Sequence, residues 1–183
     1  MIEVRWHGRG GQGGFTAARL LGLAAALFEG RHALAFPSFG PERRGAPVFG
    51  FTRIDDRKIT DRSAVTACDF VVVIDETLAG PRIADGLRPA GKLILNTAEP
   101  QKYAAVAAGH EIVALDATAL ARRILGRPIA NTAMLGALLA ATGIVRLDSA
   151  EKGIAHELKP KIAQKNIELL RESFAAVAGR VAA

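Results

Sequence analysis

His7-Gly8-Arg9-Gly10-Gly11-Gln12-Gly13-Gly14 is the stretch of this sequence that decides the fold. Before it, residues 2–7 alternate between apolar and polar side chains, which predicts a β-strand that ends at Gly8. After it, apolar residues occupy nearly every side of a helical wheel, which predicts a helix from Phe15 to about Glu29 that lies between the sheet and a further layer, for example another subunit. A strand, a glycine-rich turn and a helix in this order are typical of α/β folds that bind phosphates at the turn.

The remainder of the chain also alternates strand-like and helix-like segments, with short loops between them. The apolar run at residues 70–74 is typical of a parallel strand buried on both faces. A polar turn at residues 55–58 predicts a hairpin between a strand at Val48–Ile54 and a short strand at Ile59-Thr60. The other predicted elements are strands at Arg31–Ala35, Lys92–Leu95 and Glu111–Leu115, and helices at Leu78–Asp85, Gln101–Ala108, Thr118–Leu125 and Asn131–Ala141.

This order of elements predicts the fold class. We expect an α/β fold with a doubly wound, mostly parallel open sheet of the Rossmann-like type, an inserted β-hairpin and a C-terminal helical tail. Asn131-Thr132 is expected to cap the helix that follows it, because both side chains can accept hydrogen bonds from the first free N–H groups of a helix.

The composition excludes several classes of protein. The formal net charge is +6, but Lys and Arg are scattered and only 5% of residues are aromatic, so we expect no nucleic-acid partner. The apolar runs are too short to span a bilayer, and the N-terminus begins with a strand pattern, so we expect a cytoplasmic protein without a membrane span. The one cysteine, Cys68, is expected to be a small buried residue, since it cannot hold an iron–sulfur cluster or zinc alone.

The glycine turn, residues 8–14, matches the dinucleotide fingerprint Gly8-x-Gly10-x-x-Gly13. The fingerprint also requires an acidic residue at the end of the second strand, where this chain has Ala35-Phe36-Pro37. Three interpretations stay open: a tight turn without a ligand, a turn that binds an anion or polar group of a cofactor with help from the Gln12 amide, and a site for NAD or FAD. Because one helix N-terminus and one charged hydrogen bond together contribute only about 4 kcal/mol, such a turn needs further contacts to hold a nucleotide.

Phe36-Pro37-Ser38-Phe39-Gly40-Pro41-Glu42-Arg43-Arg44-Gly45-Ala46-Pro47, the arginine loop, is the second unusual stretch. Its prolines fix the backbone, and its glycines leave it pliant at two points. Arg43 or Arg44 could bind a phosphate or carboxylate through two parallel hydrogen bonds. A contact with another protein and a solvated turn with surface ion pairs are the alternatives.

Other polar residues give weaker signals. His7 adjoins the glycine turn and is expected either to bind a ligand or to bond the backbone. Asp75-Glu76 and Asn96-Thr97 follow predicted strands at the edge where such sheets bind ligands, and helix capping is the alternative. The sequence contains no recognisable catalytic triad, carboxylate pair or metal-ligand spacing, so we predict no catalytic and no metal-binding residues.

The domain organisation follows from the length of the chain and from its C-terminal pattern. We predict a Rossmann-like domain at residues 1–146, which carries the glycine turn and the arginine loop, and a helical extension at residues 147–183 that packs on the domain or on a partner subunit. Asp148 with Glu151 is expected to open the extension as a capping box, and Pro160 to interrupt it. Apolar residues at spacings of three and four then predict an amphipathic last helix.

Taken together, the glycine turn and the arginine loop resemble a known family. His7-Gly8-Arg9-Gly10-Gly11-Gln12-Gly13 and residues 36–48 resemble the gamma subunit of the 2-oxoacid:acceptor oxidoreductases, close to the pyruvate:ferredoxin oxidoreductase type. The resemblance covers essentially the whole chain, including Asp69–Asp75 and Pro128-Ile129-Ala130-Asn131-Thr132. The arginine loop matches the pyruvate type better than the oxoglutarate type.

This resemblance implies a non-catalytic gamma subunit of a multisubunit, thiamine diphosphate-dependent enzyme. Such enzymes oxidatively decarboxylate a 2-oxoacid such as pyruvate and transfer the acyl group to coenzyme A (CoA), releasing CO2. The resemblance further implies that thiamine diphosphate, Mg and iron–sulfur clusters lie on partner subunits of the alpha, beta and delta types, and that electrons pass to ferredoxin or another acceptor. The isolated chain is then expected to be inactive and to bind no cofactor alone.

The resemblance also assigns roles to individual residues. A phosphate or polar group of CoA, at a site shared with other subunits, is assigned to Gly8, Gly10, Gly11, Gln12 and Gly13. Arg43 and Arg44 are expected to contact a phosphate or a neighbouring subunit. Gly14-Phe15 departs from the family pattern of two β-branched residues, which favours a less common substrate such as an aromatic 2-oxoacid. An independent NAD- or nucleotide-binding oxidoreductase domain is the alternative.

Overall fold

The computed structural model describes residues 1–38 and 45–181, and within them one six-stranded sheet and five α-helices. The strands are β1 (Ile2–Arg9), β2 (His32–Pro37), β3 (Pro47–Asp55), β4 (Cys68–Val73), β5 (Leu87–Asn96) and β6 (Glu111–Leu115). The helices are α1 (Gly14–Glu29), α2 (Ala117–Leu125), α3 (Asn131–Thr142), α4 (Leu147–Glu157) and α5 (Pro160–Val181).

The sheet has the strand order β2-β3-β1-β4-β5-β6. Strands β1, β4, β5 and β6 are parallel, and β3 is antiparallel to both of its neighbours, β1 and β2. The predicted α/β class with a mostly parallel open sheet is therefore confirmed. Helix α1 and strand β6 lie within one residue of their predicted positions, because both have strong local patterns of apolar residues.

The inserted hairpin is present, but the prediction that residues 59–60 pair with β3 was wrong. Strand β3 pairs with β2 across the arginine loop, from Pro37 opposite Gly50 to His32 opposite Asp55. Ile59 and Thr60 lie outside every strand. Since β3 has β1 on one side and β2 on the other, neither of its edges is free for a strand at residues 59–60.

Two predicted helices, at Leu78–Asp85 and Gln101–Ala108, were also wrong. The chain forms short 3-10 turns at Glu76–Leu78 and Pro100–Tyr103, followed by further turns. Gly80 precedes a proline, which disfavours helical backbone there, and segments of about eight residues do not hold a helix without strong packing. These turns still cross the second face of the sheet, so the chain winds over both faces.

The sheet separates two cores. On the first face, Trp6, Val72 and Ile94 pack under the helices, and the Trp6 indole donates a hydrogen bond to Thr52 Oγ1 over 3.1 Å. Helix α4 covers the outer side of α1, so this chain itself supplies much of the layer expected over that helix. On the second face, turns cover a smaller core that contains Cys68, and burial raises the pKa of the Cys68 thiol above its usual value.

The C-terminal helices pack on the rest of the described chain. Helix α4 contacts α1, and α5 contacts α3 and α2. The apolar side of α5 is buried as predicted, and Pro160 is its first residue. The predicted capping box was wrong, because α4 has no side-chain cap and Glu151 pairs with Arg171 instead. The start of α4 at Leu147 coincides with the predicted boundary, but a division into two domains stays a prediction.

None of the helices within residues 1–38 and 45–181 has the length and apolar character required to cross a membrane.

Candidate functional site

The candidate site lies at the carboxyl ends of the parallel strands, where β1 and β4 are neighbours. Helix α1 follows β1 on the first face, whereas the turns after β4 pack on the second face. Sheets of this type bind ligands at such a switch point. A cleft of about 420 Å³ opens there, lined by Gln12, Asp75, Asn96, Asp116 and Ala130 among others.

The end of the arginine loop lies on the glycine turn. The Gly10 N–H donates to Ala46 O over 2.9 Å, and the Gly45 N–H donates to Gly10 O over 3.2 Å. The structure therefore brings the two unusual stretches of the sequence to one edge of the sheet. Arg43 and Arg44 lie outside the described residues, so their assigned roles stay predictions.

Gln12 and Arg9 hold the glycine turn against Asp75. The Gln12 amide accepts a hydrogen bond from the Arg9 backbone N–H over 2.7 Å and donates one to Asp75 Oδ2 over 2.7 Å. The Arg9 guanidinium contacts Asp75 over 3.2 Å and Thr77 Oγ1 over 2.8 Å. Burial works to raise the pKa of Asp75, but hydrogen bonds from Thr77 and Gln12 and the charge of Arg9 outweigh it and lower that pKa. Both ends of the Gln12 amide are thus engaged within the chain.

Helix α1 begins at the glycine turn without a cap. It has no side-chain capping bond and no acidic residue in its first turn. Among the described residues, the N–H groups of Gly14, Phe15 and Thr16 have no hydrogen-bond acceptor. Such a helix end has partial positive charge and unpaired donors, which are the features of an anion site.

Asn131, at the start of α3, reaches the same place from the far end of the sequence. Its Nδ2 donates to Gly13 O over 3.3 Å, and its buried Oδ1 has no partner among the described residues. The prediction that Asn131-Thr132 caps α3 was wrong, because Ala130 is the N-cap residue and Thr132 bonds Asn166. Two uncapped helix N-termini therefore meet at Gly13.

Gly13→Ala is expected to lower the free energy of unfolding more than Gly11→Ala. Both glycines have positive φ, 79° and 94°, where a side chain costs about 1–2 kcal/mol. A Cβ on Gly13 would also lie 2.5 Å from Asn131 Nδ2, whereas a Cβ on Gly11 meets nothing within 4 Å. Urea denaturation should show an additional loss of about 1 kcal/mol or more for Gly13→Ala. Adding Asn131→Ala to Gly13→Ala should remove this additional loss of stability. Equal losses in Gly13→Ala and Gly11→Ala would contradict the crowding argument.

The cleft is acidic, and most of its carboxylates already accept hydrogen bonds from groups within the chain. It is lined by the carboxylates of Asp75, Glu76 and Asp116. Asp116 caps α2, and Glu76 accepts hydrogen bonds from Thr97 and Tyr103. An anion is therefore expected beside the start of α1, away from these carboxylates. Within the described ranges, no group of three or more His, Cys, Asp or Glu side chains could hold a metal ion.

His7 lies on the second face, directly before the glycine turn. His7 is 7% exposed, and its ring packs edge-on against Phe49, with 4.7 Å between ring centroids. Burial, assisted by the charge of Arg5, lowers the pKa of His7 to about 3, so the ring is neutral near pH 7. The Arg5 Nε–H donates to His7 Nε2 over 2.9 Å.

The strand order argues against a dinucleotide site of the NAD type. In that fold the second strand lies beside the first, and an acidic residue at its end bonds the ribose. Here β3 lies between β1 and β2, and β2 ends in Phe36-Pro37. The end of β2 is therefore one strand too far from the glycine turn for that role.

Comparison with known proteins identifies the family. A family model described as "Pyruvate ferredoxin/flavodoxin oxidoreductase" matches residues 3–176. The chain belongs to this family. Similar members of the pyruvate ferredoxin/flavodoxin oxidoreductase family include pyruvate synthase subunit PorC of Methanocaldococcus jannaschii, which is 46% identical over 175 residues that cover 95% of this chain and 96% of the relative.

Two further relatives agree with this result. The pyruvate/ketoisovalerate oxidoreductases common subunit gamma of Thermococcus litoralis is 44% identical over 178 residues, covering 95% of this chain and 96% of that protein. The crystal structure of pyruvate oxidoreductase subunit PORC from Thermotoga maritima has a TM-score of 0.83 and 41% identity, with 95% of each chain covered. The chain is a gamma-type subunit of a multisubunit pyruvate or 2-oxoacid:ferredoxin oxidoreductase, as its resemblance implied.

Sequence reasoning missed two residues at this site. Arg9 lies within the glycine turn, but its partner Asp75 is 66 residues away in the chain. Asn131 was interpreted as a cap, and its contact with Gly13 spans 118 residues. The absence of an acidic residue or a capping side chain at the start of α1 was the one local signal for an anion site there.

Proposed function

We propose that this subunit forms the CoA-binding edge of a thiamine diphosphate-dependent, CoA-acylating 2-oxoacid oxidoreductase, with Gly8, Gly10, Gly11, Gln12 and Gly13 shaping the turn that receives a phosphate. The enzyme would convert a 2-oxoacid such as pyruvate, or an aromatic 2-oxoacid, to acyl-CoA and CO2. Thiamine diphosphate, Mg and iron–sulfur clusters would lie on alpha, beta and delta-type partners in the cytoplasm, with ferredoxin or another acceptor taking the electrons. CoA supplies the thiol that accepts the acyl group.

The uncapped start of α1 carries this proposal. The N–H groups of Gly14, Phe15 and Thr16 have no acceptor among the described residues, and no carboxylate competes with an anion in the first turn. The Arg9–Gln12–Asp75 hydrogen bonds hold the turn in one shape, so little ordering is required when the phosphate binds. Arg43 and Arg44 would add charge from the arginine loop.

The other residues present at this edge also fit CoA. Asn131 Oδ1 is a buried acceptor without a partner in the described chain, and CoA carries amide and hydroxyl donors. A helix end contributes about 0.3–1 kcal/mol and a charged hydrogen bond about 1.5–3 kcal/mol. Since this is near millimolar affinity, partner subunits must supply the remaining contacts, which agrees with an inactive isolated chain.

Thr16→Asp tests this proposal in the assembled complex. Thr16 is the third residue of α1, where a carboxylate stabilises the helix but repels a phosphate. We expect the KM for CoA to rise about tenfold, equivalent to about 1.4 kcal/mol, while the KM for the 2-oxoacid is unchanged. Steady-state kinetics of the co-purified complex measures both constants.

The matched control is Thr16→Asn, which has nearly the same shape without the charge and should change the KM for CoA much less. An unchanged KM for CoA in the Thr16→Asp complex would overturn the proposal. The purified chain alone should oxidise no 2-oxoacid. Calorimetric titration of that chain with NAD and with CoA addresses the alternative, because tight NAD binding would favour an independent nucleotide-binding domain.

A further inference from the structure

Helix α5 extends past the start of α3, the helix on which it packs most closely. Ile162, Asn166, Leu170 and Ser173 follow one another at steps of three and four, so their side chains lie along one side of α5. Asn166, Leu170 and Ser173 are buried, and Asn166 Oδ1 accepts a hydrogen bond from Thr132 Oγ1 in the first turn of α3 over 2.8 Å. Ile162 lies one turn earlier and is 52% exposed. The core-facing side of α5 therefore continues beyond the helix that covers it.

Ile129 lies at the same end of the molecule. It precedes Thr132 by three residues, as Ile162 precedes Asn166 by four, so the two isoleucines lie at the same level of the paired helices. Ile129 is 42% exposed, and the residues on either side of it line the acidic cleft of the candidate site. The exposed apolar surface thus reaches the edge of that cleft.

Three lysines flank Ile162. Lys161 is its neighbour, and Lys159 and Lys165 lie about one turn to either side, all of them exposed. None of the three forms an ion pair with a carboxylate in the described part of the chain. The carboxylate just before them, that of Glu157, pairs with Arg19 of α1. The positive charge around Ile162 is therefore not neutralised by this chain within the described ranges.

This placement of lysines is unfavourable for the helix itself. The first turn of α5 has no acidic residue, and the free N–H groups at a helix start already have partial positive charge. The charge changes sign further along, where Glu168 and Glu172 line a groove of about 700 Å³ beside α4. Positive charge is thus concentrated where the apolar side chain is exposed. A local arrangement that weakens its own helix and covers no core indicates a functional contact.

We propose that the α5 start surface, which consists of Ile129, Lys159, Lys161, Ile162 and Lys165, docks a partner subunit of the oxidoreductase complex. The partner presents an apolar side chain bordered by Asp or Glu carboxylates, since an apolar centre with a charged rim is matched by the same pattern of opposite charge. A second copy of this chain would bring lysines against lysines, which disfavours it. The surface has no aromatic side chain, which disfavours nucleic acid.

The existence of a partner follows from the family, because the chain is a gamma-type subunit of a multisubunit enzyme. The inference goes beyond the proposed CoA-binding edge and does not depend on it. It assigns a direction to the assembly: the partner docks on the side of α3 and α5 and adjoins the acidic cleft from there.

Carbodiimide cross-linking of the assembled complex tests the chemistry of the contact. The reagent joins a lysine amine to a carboxylate without a spacer, so only paired groups react efficiently. We expect peptide mass spectrometry to find amide bonds from Lys159, Lys161 or Lys165 to Asp or Glu of another subunit. Lys58, exposed at the opposite end of the sheet, is the control and should give no such bond. Bonds confined to this chain, or none, would overturn the proposal.

Reversing the charge of the surface tests its contribution to assembly. In the variant Lys159→Glu, Lys161→Glu, Lys165→Glu, the subunit concentration at which half of it leaves the complex on dilution should rise about tenfold, as measured by native mass spectrometry. Ile162→Ala should have a similar effect. The lysine variant alone should be no less stable to urea than the wild type, because acidic residues suit a helix start. The weaker assembly then does not result from unfolding.

Matched controls make this result specific to the surface. Arg57→Glu, Lys58→Glu, Arg62→Glu makes the same change in net charge at exposed residues of the opposite end, and Leu27→Ala removes an apolar side chain that is 57% exposed there. Both should leave assembly unchanged. If the lysine variant assembles normally but no longer binds vesicles of anionic lipid, the surface contacts a membrane and the inference is wrong. Thr16→Asp lies outside this surface, so the CoA edge and the docking surface can fail separately.

Discussion

Gly136→Val is expected to lower the free energy of unfolding by about 3 kcal/mol or more, because α3 and α5 touch at this glycine. A Cβ there would lie 2.1 Å from Ser173 Oγ and 2.6 Å from Leu170 O. Leu170 O is backbone, so no change of rotamer relieves the overlap. Urea denaturation of the purified chain measures the loss. Since α3 also carries Asn131 to the glycine turn, the proposed CoA-binding edge predicts weaker CoA binding by the variant complex as well.

Two further variants make this prediction specific. Gly179→Ala places the same extra methyl on α5 where nothing lies within 4 Å, and the higher helix propensity of alanine should raise stability by up to about 1 kcal/mol. Combining Gly136→Ala with Ser173→Gly removes the Ser173 contact but not the Leu170 contact, so it should recover only part of the loss seen for Gly136→Ala. If Gly136→Val has the stability of the wild type, α3 and α5 can move apart without loss of free energy, and the prediction is wrong.

Glu3→Ala is expected to lower the free energy of unfolding by about 3–5 kcal/mol, because the buried Arg53 then keeps, among the described residues, only the half-exposed Asp61 at 3.4 Å as an anionic partner. Glu3 accepts hydrogen bonds from Arg53 over 2.9 Å and from Arg88 over 2.6 Å. The Arg53 side chain is only 2% exposed, and after the substitution it retains Asp61 as its anionic partner among the described residues. Glu3 on β1 lies opposite Arg53 on β3, so this ion pair also joins the two strands.

Arg53→Ala should be less damaging than Glu3→Ala. It leaves Glu3 paired with Arg88, which also bonds Asp69, so no buried charge is stranded. Arg82→Ala is the control, since its pair with Asp85 is exposed and should contribute less than about 1 kcal/mol. Denaturation at low and high salt distinguishes the cases, because salt screens exposed pairs much more than buried ones. Equal losses for Glu3→Ala and Arg53→Ala would contradict this ranking.

Elements with a strong local pattern were predictable. The strand before Gly8, the helix after Gly14 and the strand Glu111–Leu115 each bury apolar residues at regular spacing, so that spacing alone defines them. Segments with a weak local pattern of apolar residues were not predictable. Residues 78–85 and 101–108 have apolar content that suits a helix, but glycine, proline and short length leave the choice to the turns that fit the second face.

The candidate site likewise has features that were predictable from the sequence and features that were not. Its location at the glycine turn follows from sequence, because positive φ at Gly11 and Gly13 is a local requirement that glycine meets without strain. Its contacts do not follow from sequence. The carboxylate that holds Gln12 comes from a residue 63 positions away, and the neutral state of His7 results from burial, with Phe49 of the neighbouring strand packed against its ring.

The sequence by itself determined the α/β class, the glycine turn between β1 and α1, and the family, since each depends on residues that are adjacent in the chain. Only the tertiary structure decided that β3 lies between β1 and β2, and that Asp75 and Asn131 meet at the glycine turn. The physical reason is the range of the forces involved. Backbone preferences and apolar spacing act over a few residues, whereas strand pairing, desolvation and buried hydrogen bonds depend on which distant segments the folded chain brings together.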